Sequence, residues 1–225
     1  MHRFLISLIT ITALGLPAFS RGETWNIDPA HTSAQFAVRH LMVSTVRGEF
    51  SKVEGAVNFD EQNPTKSSVE ATIEVGSINT RVAKRDDHLK SPDFFDAAKY
   101  PTITFKSKKI EAAGEGKFKV TGDLTLHGVT KEVVLNVEGS PKPVKDPSGN
   151  LRMGGVATTK LNRKDFGLTW NKALETGGVV VGEDIDVTID VELTRKPEAA
   201  ATDANTEMAS ELTQQAVPLA VGSSK

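Results

Sequence analysis

The sequence predicts an all-β chain: a single eight-stranded antiparallel barrel with a short helical insertion. Three observations carry this. About eight stretches alternate apolar and polar residues with a period of two, which gives each ribbon one oily and one wet side. Most are separated by hairpin-length turns, which favours antiparallel neighbours. No stretch shows the apolar period of a long helix. Ribbons with one oily side can close into a barrel and so remove both sheet edges. A two-sheet sandwich would show the same pattern.

The first twenty residues stand apart. Met1-His2-Arg3 is a short basic start, Phe4 to Leu16 is an apolar run too short to span a bilayer, and Pro17-Ala18-Phe19-Ser20 ends on small residues. Residues 1–20 are expected to be a secretory signal, cleaved after Ser20, with no stable membrane insertion afterwards. The domain then occupies 21–196. Thr24 to Pro29 opens it, with Asp28-Pro29 as a turn. Ser33 to Arg39 alternates Phe36 and Val38 against Gln35 and Arg39. Val46 to Phe59 follows, with Val53, Val57 and Phe59 in register and Gly48 and Gly55 as sites of a bulge or sharp coiling. Val69, Ala71, Ile73 and Val75 make a third strand.

Arg81 to Tyr100 breaks the pattern and is expected to form one or two short helical turns, with Ser91-Pro92 as a helix start. Phe94 and Phe95 fall there as lid or cavity residues. Strands resume with Ile103 and Phe105. The clearest hairpin comes next. Phe118, Val120, Leu124 and Leu126 alternate on one arm, and Val129, Val133, Leu135 and Val137 on the other, joined at His127-Gly128. Lys131 and Val134 break the two faces. Ser140 to Asn150 reads as a Pro/Gly-rich loop, Leu151 to Leu161 as a weaker strand, and Asn162 to Asn171 as a connector with Phe166 and Trp170. Glu183 to Thr194 closes the domain, with Ile185, Val187, Ile189, Val191 and Leu193 against acidic and Thr residues. Residues 197–225 lose strand character and are expected to be a disordered tail, with helix-compatible residues near Glu207 to Val217.

Composition narrows function. A chain of 225 residues with 38% hydrophobic and 25% charged residues has material for a core, and a net charge of −2 leaves no basic footprint for nucleic acid. There is no cysteine, which rules out disulfides and thiolate metal sites. With the signal segment, this points to the bacterial periplasm or exterior. Small inward candidates (Ala34, Gly55, Ala71, Val75 and Gly122) favour an interior with some space, against the alternative of a filled barrel acting through its outer surface. The expected cavity wall is Phe36, Val38, Val57, Phe59, Ile73, Val75 and Phe105. It continues through Phe118, Val120, Leu124, Leu126, Val133, Leu135 and Val137, and closes with Ile185, Val187 and Ile189. Such a wall suits a hydrocarbon. Arg39, His40 and Arg85 are candidates for the mouth, where they would meet a polar head group, with Phe94 and Phe95 beside them.

His31, His40, His88 and His127 lie near carboxylates such as Asp28, Asp86 and Asp87, but their spacings fit neither HExxH nor a facial triad, and there is no G-x-S-x-G, P-loop or GxGxxG. A hydrolase using His127 is the enzymatic alternative, and hydrogen bonding to its own turn is the plainer role. No catalytic residue and no metal ligand is assigned.

The motifs Asp28-Pro29-Ala30-His31-Thr32, Val46-Arg47-Gly48-Glu49-Phe50, Ser77-Ile78-Asn79-Thr80, Arg85-Asp86-Asp87-His88-Leu89, Tyr100-Pro101-Thr102-Ile103-Thr104-Phe105, Gly122 to Thr130 and Asn162-Arg163-Lys164-Asp165-Phe166-Gly167 occur in an order that resembles the YceI-like family. The resemblance runs from Thr24 to about Arg195, and the tail is additional to it. It implies a lipocalin-like barrel, exported in many members, whose relatives hold a polyisoprenoid chain. The expected guest is therefore a hydrophobic lipid, an isoprenoid quinone or polyprenyl compound, for carriage or sequestration, with no other cofactor. An apolar mouth can pair with its symmetry mate, which leaves a homodimer open.

Overall fold

The computed structural model describes residues 22–175 and 177–197. The expected signal segment lies outside them, as does the expected tail apart from Pro197. Eleven strands form one sheet. In chain order they are β1 (Glu23–Ile27), β2 (Ser33–His40), β3 (Ser44–Phe50), β4 (Val53–Phe59), β5 (Ser68–Glu74), β6 (Ile78–Asn79), β7 (Thr102–Gly114), β8 (Lys117–Leu126), β9 (Val129–Lys145), β10 (Leu151–Asn162) and β11 (Val181–Arg195). Among the described residues the only α-helix is α1 (Ala83–Lys90), and none is long and apolar enough to cross a membrane.

The eleven segments make eight staves. β1 and β2 both pair with β11, so they run along one interrupted ribbon. β4 flanks β1 and β3 flanks β2. β5 then flanks β4, and β6 flanks β3. β7 to β11 complete the ring, every ladder antiparallel. The ring closes where Asn26 and Ile27 pair with Thr194 and Leu193. This is the barrel that the alternation predicts, not the sandwich.

Local chemistry explains the joints. β8 and β9 meet in a two-residue turn, with Leu126 opposite Val129. His127 and Gly128 have φ of 51° and 74°. Positive φ at both central positions is the turn type whose twist matches a right-handed hairpin. The 46–59 ribbon breaks between Phe50 and Val53. Gly55 in β4 has φ of +148°, and a Cβ there would lie 2.1 Å from the Glu70 carbonyl oxygen. Only glycine lets β4 and β5 approach this closely.

Two expectations need correction. Ser91-Pro92 ends α1 rather than starting it: Ser91 is the C-cap in an extended conformation, as the residue before a proline prefers. Ser140 to Lys145 is not a loop but the far end of β9, where Arg152 and Gly154 pair with Val144 and Ser140. β8 stops pairing at Glu138, so Pro141 and Pro143 lie where β9 has a neighbour on one side only, the position in which a sheet tolerates proline. The opening stretch forms β1 before the expected turn at Asp28-Pro29, and its Trp25, 1% exposed, belongs to the main core with Phe50, Val53, Val75, Ile78 and Ile103.

Gly55→Ala is expected to destabilise the chain by about 2 kcal/mol or more. Val134→Thr, on the exposed side of β9, should change stability by less than about 0.5 kcal/mol. Urea denaturation of the two variants checks this; equal midpoints would show that β4 and β5 do not depend on the glycine.

Candidate functional site

Inside the staves lies a cavity of about 370 Å³, within the range of small-molecule sites. Period two puts every second residue of each stave against it. β2 contributes Phe36 and Val38, β4 contributes Val57 and Phe59, β5 contributes Ile73 and β7 contributes Phe105. β8 supplies Phe118, Val120, Leu124 and Leu126, and β9 supplies Val133, Leu135 and Val137. β11 supplies Ile185, Val187 and Ile189.

Val75 is absent from this wall. β5 ends at Glu74, and Val75 starts a 3-10 turn in which its N–H bonds the Pro101 carbonyl. Its side chain is turned into the core instead, 1% exposed. The small residues divide likewise. Ala34 and Ala71 line the cavity, but Gly55 and Gly122 do not. At Gly122 the space of a Cβ is taken by the Phe105 ring, 2.6 Å from that position. These glycines bring strands and rings together and do not widen the interior.

Phe94 and Phe95 follow α1 and line the cavity. Phe95 meets Phe50 edge-on at 5.6 Å, and Phe94 packs with His88 and Trp170 at 5.0 and 5.1 Å. The three basic candidates are elsewhere. Arg39 donates to Thr45 Oγ1 at 3.2 Å and to the Met42 carbonyl at 2.7 Å, on the outer face. His40 ends β2 beside Ser44 and Val181. Arg85 donates twice to Thr80, at 2.7 Å each, while Asp86 accepts the Thr80 N–H at 2.8 Å. Local hydrogen bonds to backbone and threonine oxygens hold the two arginine side chains away from the interior.

The wall also contains residues that alternation did not single out. Leu161, Arg163, Phe166, Leu168 and Val181 form one part of it. Arg163 sits in the 3-10 turn Arg163–Phe166, which Asn162 caps by accepting the Lys164 N–H at 3.0 Å. Beside this turn the barrel wall is unzipped. The β9–β10 ladder ends at Asn136 and Thr158. Beyond it, β9 pairs only with β8 and β10 only with β11. Val133 and Leu135 line the cavity from one lip of this seam, Thr159 and Leu161 from the other. Lys131, the polar break in the inward face of β9, is exposed and falls on the unzipped stretch.

Three histidines, His127, His88 and His31, are held by local partners. His127 Nδ1 lies 3.2 Å from the Phe166 carbonyl, not in a bond to its own turn, and its ring packs on Tyr100. His88 Nε2 is 3.0 Å from Asp93. His31 Nδ1 is 3.0 Å from Asp28.

Residues 25–193 match the YceI-like domain. The chain belongs to the YceI-like family. A UPF0312 protein of Vibrio cholerae is 39% identical to it over 172 residues, covering 75% of this chain and 89% of the relative. A UPF0312 protein of Staphylococcus aureus is also 39% identical, covering 72% and 91%. Among solved structures, the Campylobacter jejuni YceI protein superposes with a TM-score of 0.59 at 35% identity, covering 70% of this chain and 90% of that one. BcnA of Burkholderia cenocepacia gives 0.63 at 25% identity, with 74% and 98% covered. A polyisoprenoid binding domain from Saccharophagus degradans shares the fold, at 0.54 and 15% identity over 75% and 97%.

In this YceI-like barrel the DPAHT motif supports a charge cluster at the opposite end of β10 from the seam. Arg152 donates to Asp28 at 2.6 Å, to Asp146 at 2.8 Å and to Glu192. Asp28, His31 and Glu192 are close enough together to hold a cation, and the Arg152 guanidinium supplies that positive charge. Its hydrogen bond is the main reason that the Asp28 carboxyl is held down from 3.8 to about 2, helped by His31 and the Ala30 N–H. The same donor, with Asn150, holds Asp146 at about 2. A carboxyl whose folded pKa is depressed stabilises the fold above its unfolded pKa, and that contribution fades as pH falls. The loss should therefore run from about pH 4 down to about pH 2. Arg152→Met should flatten or reverse this part of the stability profile, since the carboxylates lose their partner. Chemical denaturation across the window checks it; parallel profiles would mean that the cluster carries none of the acid sensitivity.

Proposed function

We propose that this chain is an exported, non-enzymatic lipid-binding protein that holds a polyisoprenoid-type chain in the barrel interior, for carriage or sequestration. One observation carries the reading: a closed ring of strands turns Phe, Val, Leu and Ile side chains onto a continuous cavity, and Arg163 is the single charged residue among those lining it. A wall of this kind recognises hydrocarbon. Burial contributes about 0.8 kcal/mol per methylene, so a five-carbon isoprene unit contributes up to about 4 kcal/mol. Three or four units outweigh a typical cost of association. The fold shared with a polyisoprenoid binding domain supports the same class of guest. The basic-apolar opening of the sequence supports export. Three histidines support binding over hydrolysis, because His31 and His88 are engaged by carboxylates and His127 by a backbone carbonyl of the fold.

Leu124 lies on the cavity wall near the end of β8, opposite Lys131 and in register with Phe105. Leu124→Trp should fill the lumen there and weaken uptake of geranylgeraniol at least tenfold. Lys119→Glu, on the exposed side of the same strand, should leave affinity within about twofold. Titration followed by native mass spectrometry reads both. Unchanged affinity in Leu124→Trp, with the fold intact, would place the lipid outside the barrel.

A further inference from the structure

Arg163 is hard to explain as a wall residue. It is 6% exposed, in a cavity whose other lining residues are uncharged. Its Nε donates to the Gly182 carbonyl at 2.8 Å and its Nη1 to the Leu168 carbonyl. Its Nη2 is buried and has no partner. The two carbonyls fix the plane of the guanidinium but do not neutralise it. Its nearest electrostatic partner, Glu183, is engaged by Lys164. Burial accordingly pushes the arginine pKa down. A buried cation that shares its counter-charge with Lys164 and keeps an unused donor is costly, and Arg152 shows the contrast, with three carboxylates around it in the same protein.

We propose that Arg163 is the head-group subsite of the cavity, and that the guest is an isoprenoid-type chain ending in an oxyanion such as a phosphate. This deepens, and rests on, the reading of the cavity as a hydrocarbon site. The oxyanion supplies both things that the guanidinium lacks, a negative charge and an acceptor for Nη2. The position suits it. Arg163 directly follows β10, whose last residues form one lip of the unzipped seam. The tail then runs along the apolar wall toward Leu124, Val120 and Phe118, and the polar end stays by the seam. Phe166 and Leu168 pack at the same place and keep the local medium apolar, which strengthens the charge-assisted bond.

The test compares two probes with one tail, farnesyl phosphate and farnesol, on the full mature chain by calorimetry. The wild-type protein should bind the phosphate about 10- to 100-fold more tightly than the alcohol, the range for a hydrogen bond to a charged group. In Arg163→Met that ratio should fall to about one, with farnesol affinity changed less than about threefold. Arg163→Lys, which keeps the charge but not the fork, should retain part of the preference. Circular dichroism checks the fold of each variant, and should Arg163→Met not fold, the wild-type ratio and Arg163→Lys still decide. Equal wild-type affinity for the two probes would overturn the subsite while leaving the hydrocarbon reading standing. So would a phosphate preference that survives in Arg163→Met, because the head group would then lie elsewhere and Arg163 would be a backbone clamp only. Binding of neither probe would overturn the hydrocarbon reading itself.

Discussion

β11 holds the ring together. It pairs with β10 along its length, with β2 over its first half and with β1 at its end. Without the short β1 contact the sheet would be an open, twisted ribbon with two free edges. Closure is what turns an oily face into an oily interior. Ile185, Val187 and Ile189 sit on the wall because β11 has a neighbour on each side there, and their Asp neighbours in sequence point to water for the same reason. The apolar core around Trp25 sits at the closing joint, where Arg195 stacks over the indole at 4.9 Å. The cavity therefore depends on a joint where Ile27 and Leu193 line it and Trp25 packs in the core beside them.

Two arginines divide the charge chemistry of the barrel. Arg152 is surrounded by carboxylates and ties β1, β10 and β11 to the loop after β9. Its partners are all supplied by the chain. Arg163 is hydrogen-bonded to backbone carbonyls, shares Glu183 with Lys164 and is buried among the residues that line the apolar interior. The same residue type thus serves a finished network in one place and an unfinished one in the other. The seam between β9 and β10 belongs with the second, since it is where the wall gives up its ladder next to the unfinished site.

Much of this could be read from the sequence, because the hydrophobic pattern and the closed sheet obey one period. β8 and β11 alternate without a break over most of their length, β9 does so between its breaks, and their wall residues follow directly. Where the backbone leaves the strand, alternation stops being a guide. Val75 has the right parity, but the 3-10 turn at Val75–Ser77 rotates it into the core. β1 was too short to show a period, and Pro141 and Pro143 hid the end of β9 because proline signals a loop unless one knows that the strand is an edge there. Lys131 looked like an error in the pattern and marks the unzipped seam instead. The candidate head-group residues failed for a different reason. Arg39 and Arg85 were chosen by charge and position in sequence, and both are consumed by nearby loop oxygens. Arg163 carried no periodic signal; only its burial beside uncharged neighbours separates it from other surface-type cations.

The barrel, its cavity and the family agree on a container, and the central claim is that the container is filled by a long apolar guest. Native mass spectrometry of the protein purified without detergent from its own organism tests this most directly. The account predicts a mass above that of the mature chain, with the excess passing into organic solvent as a lipid of isoprenoid type. A bare polypeptide mass, unchanged after incubation with excess polyprenol, would contradict it.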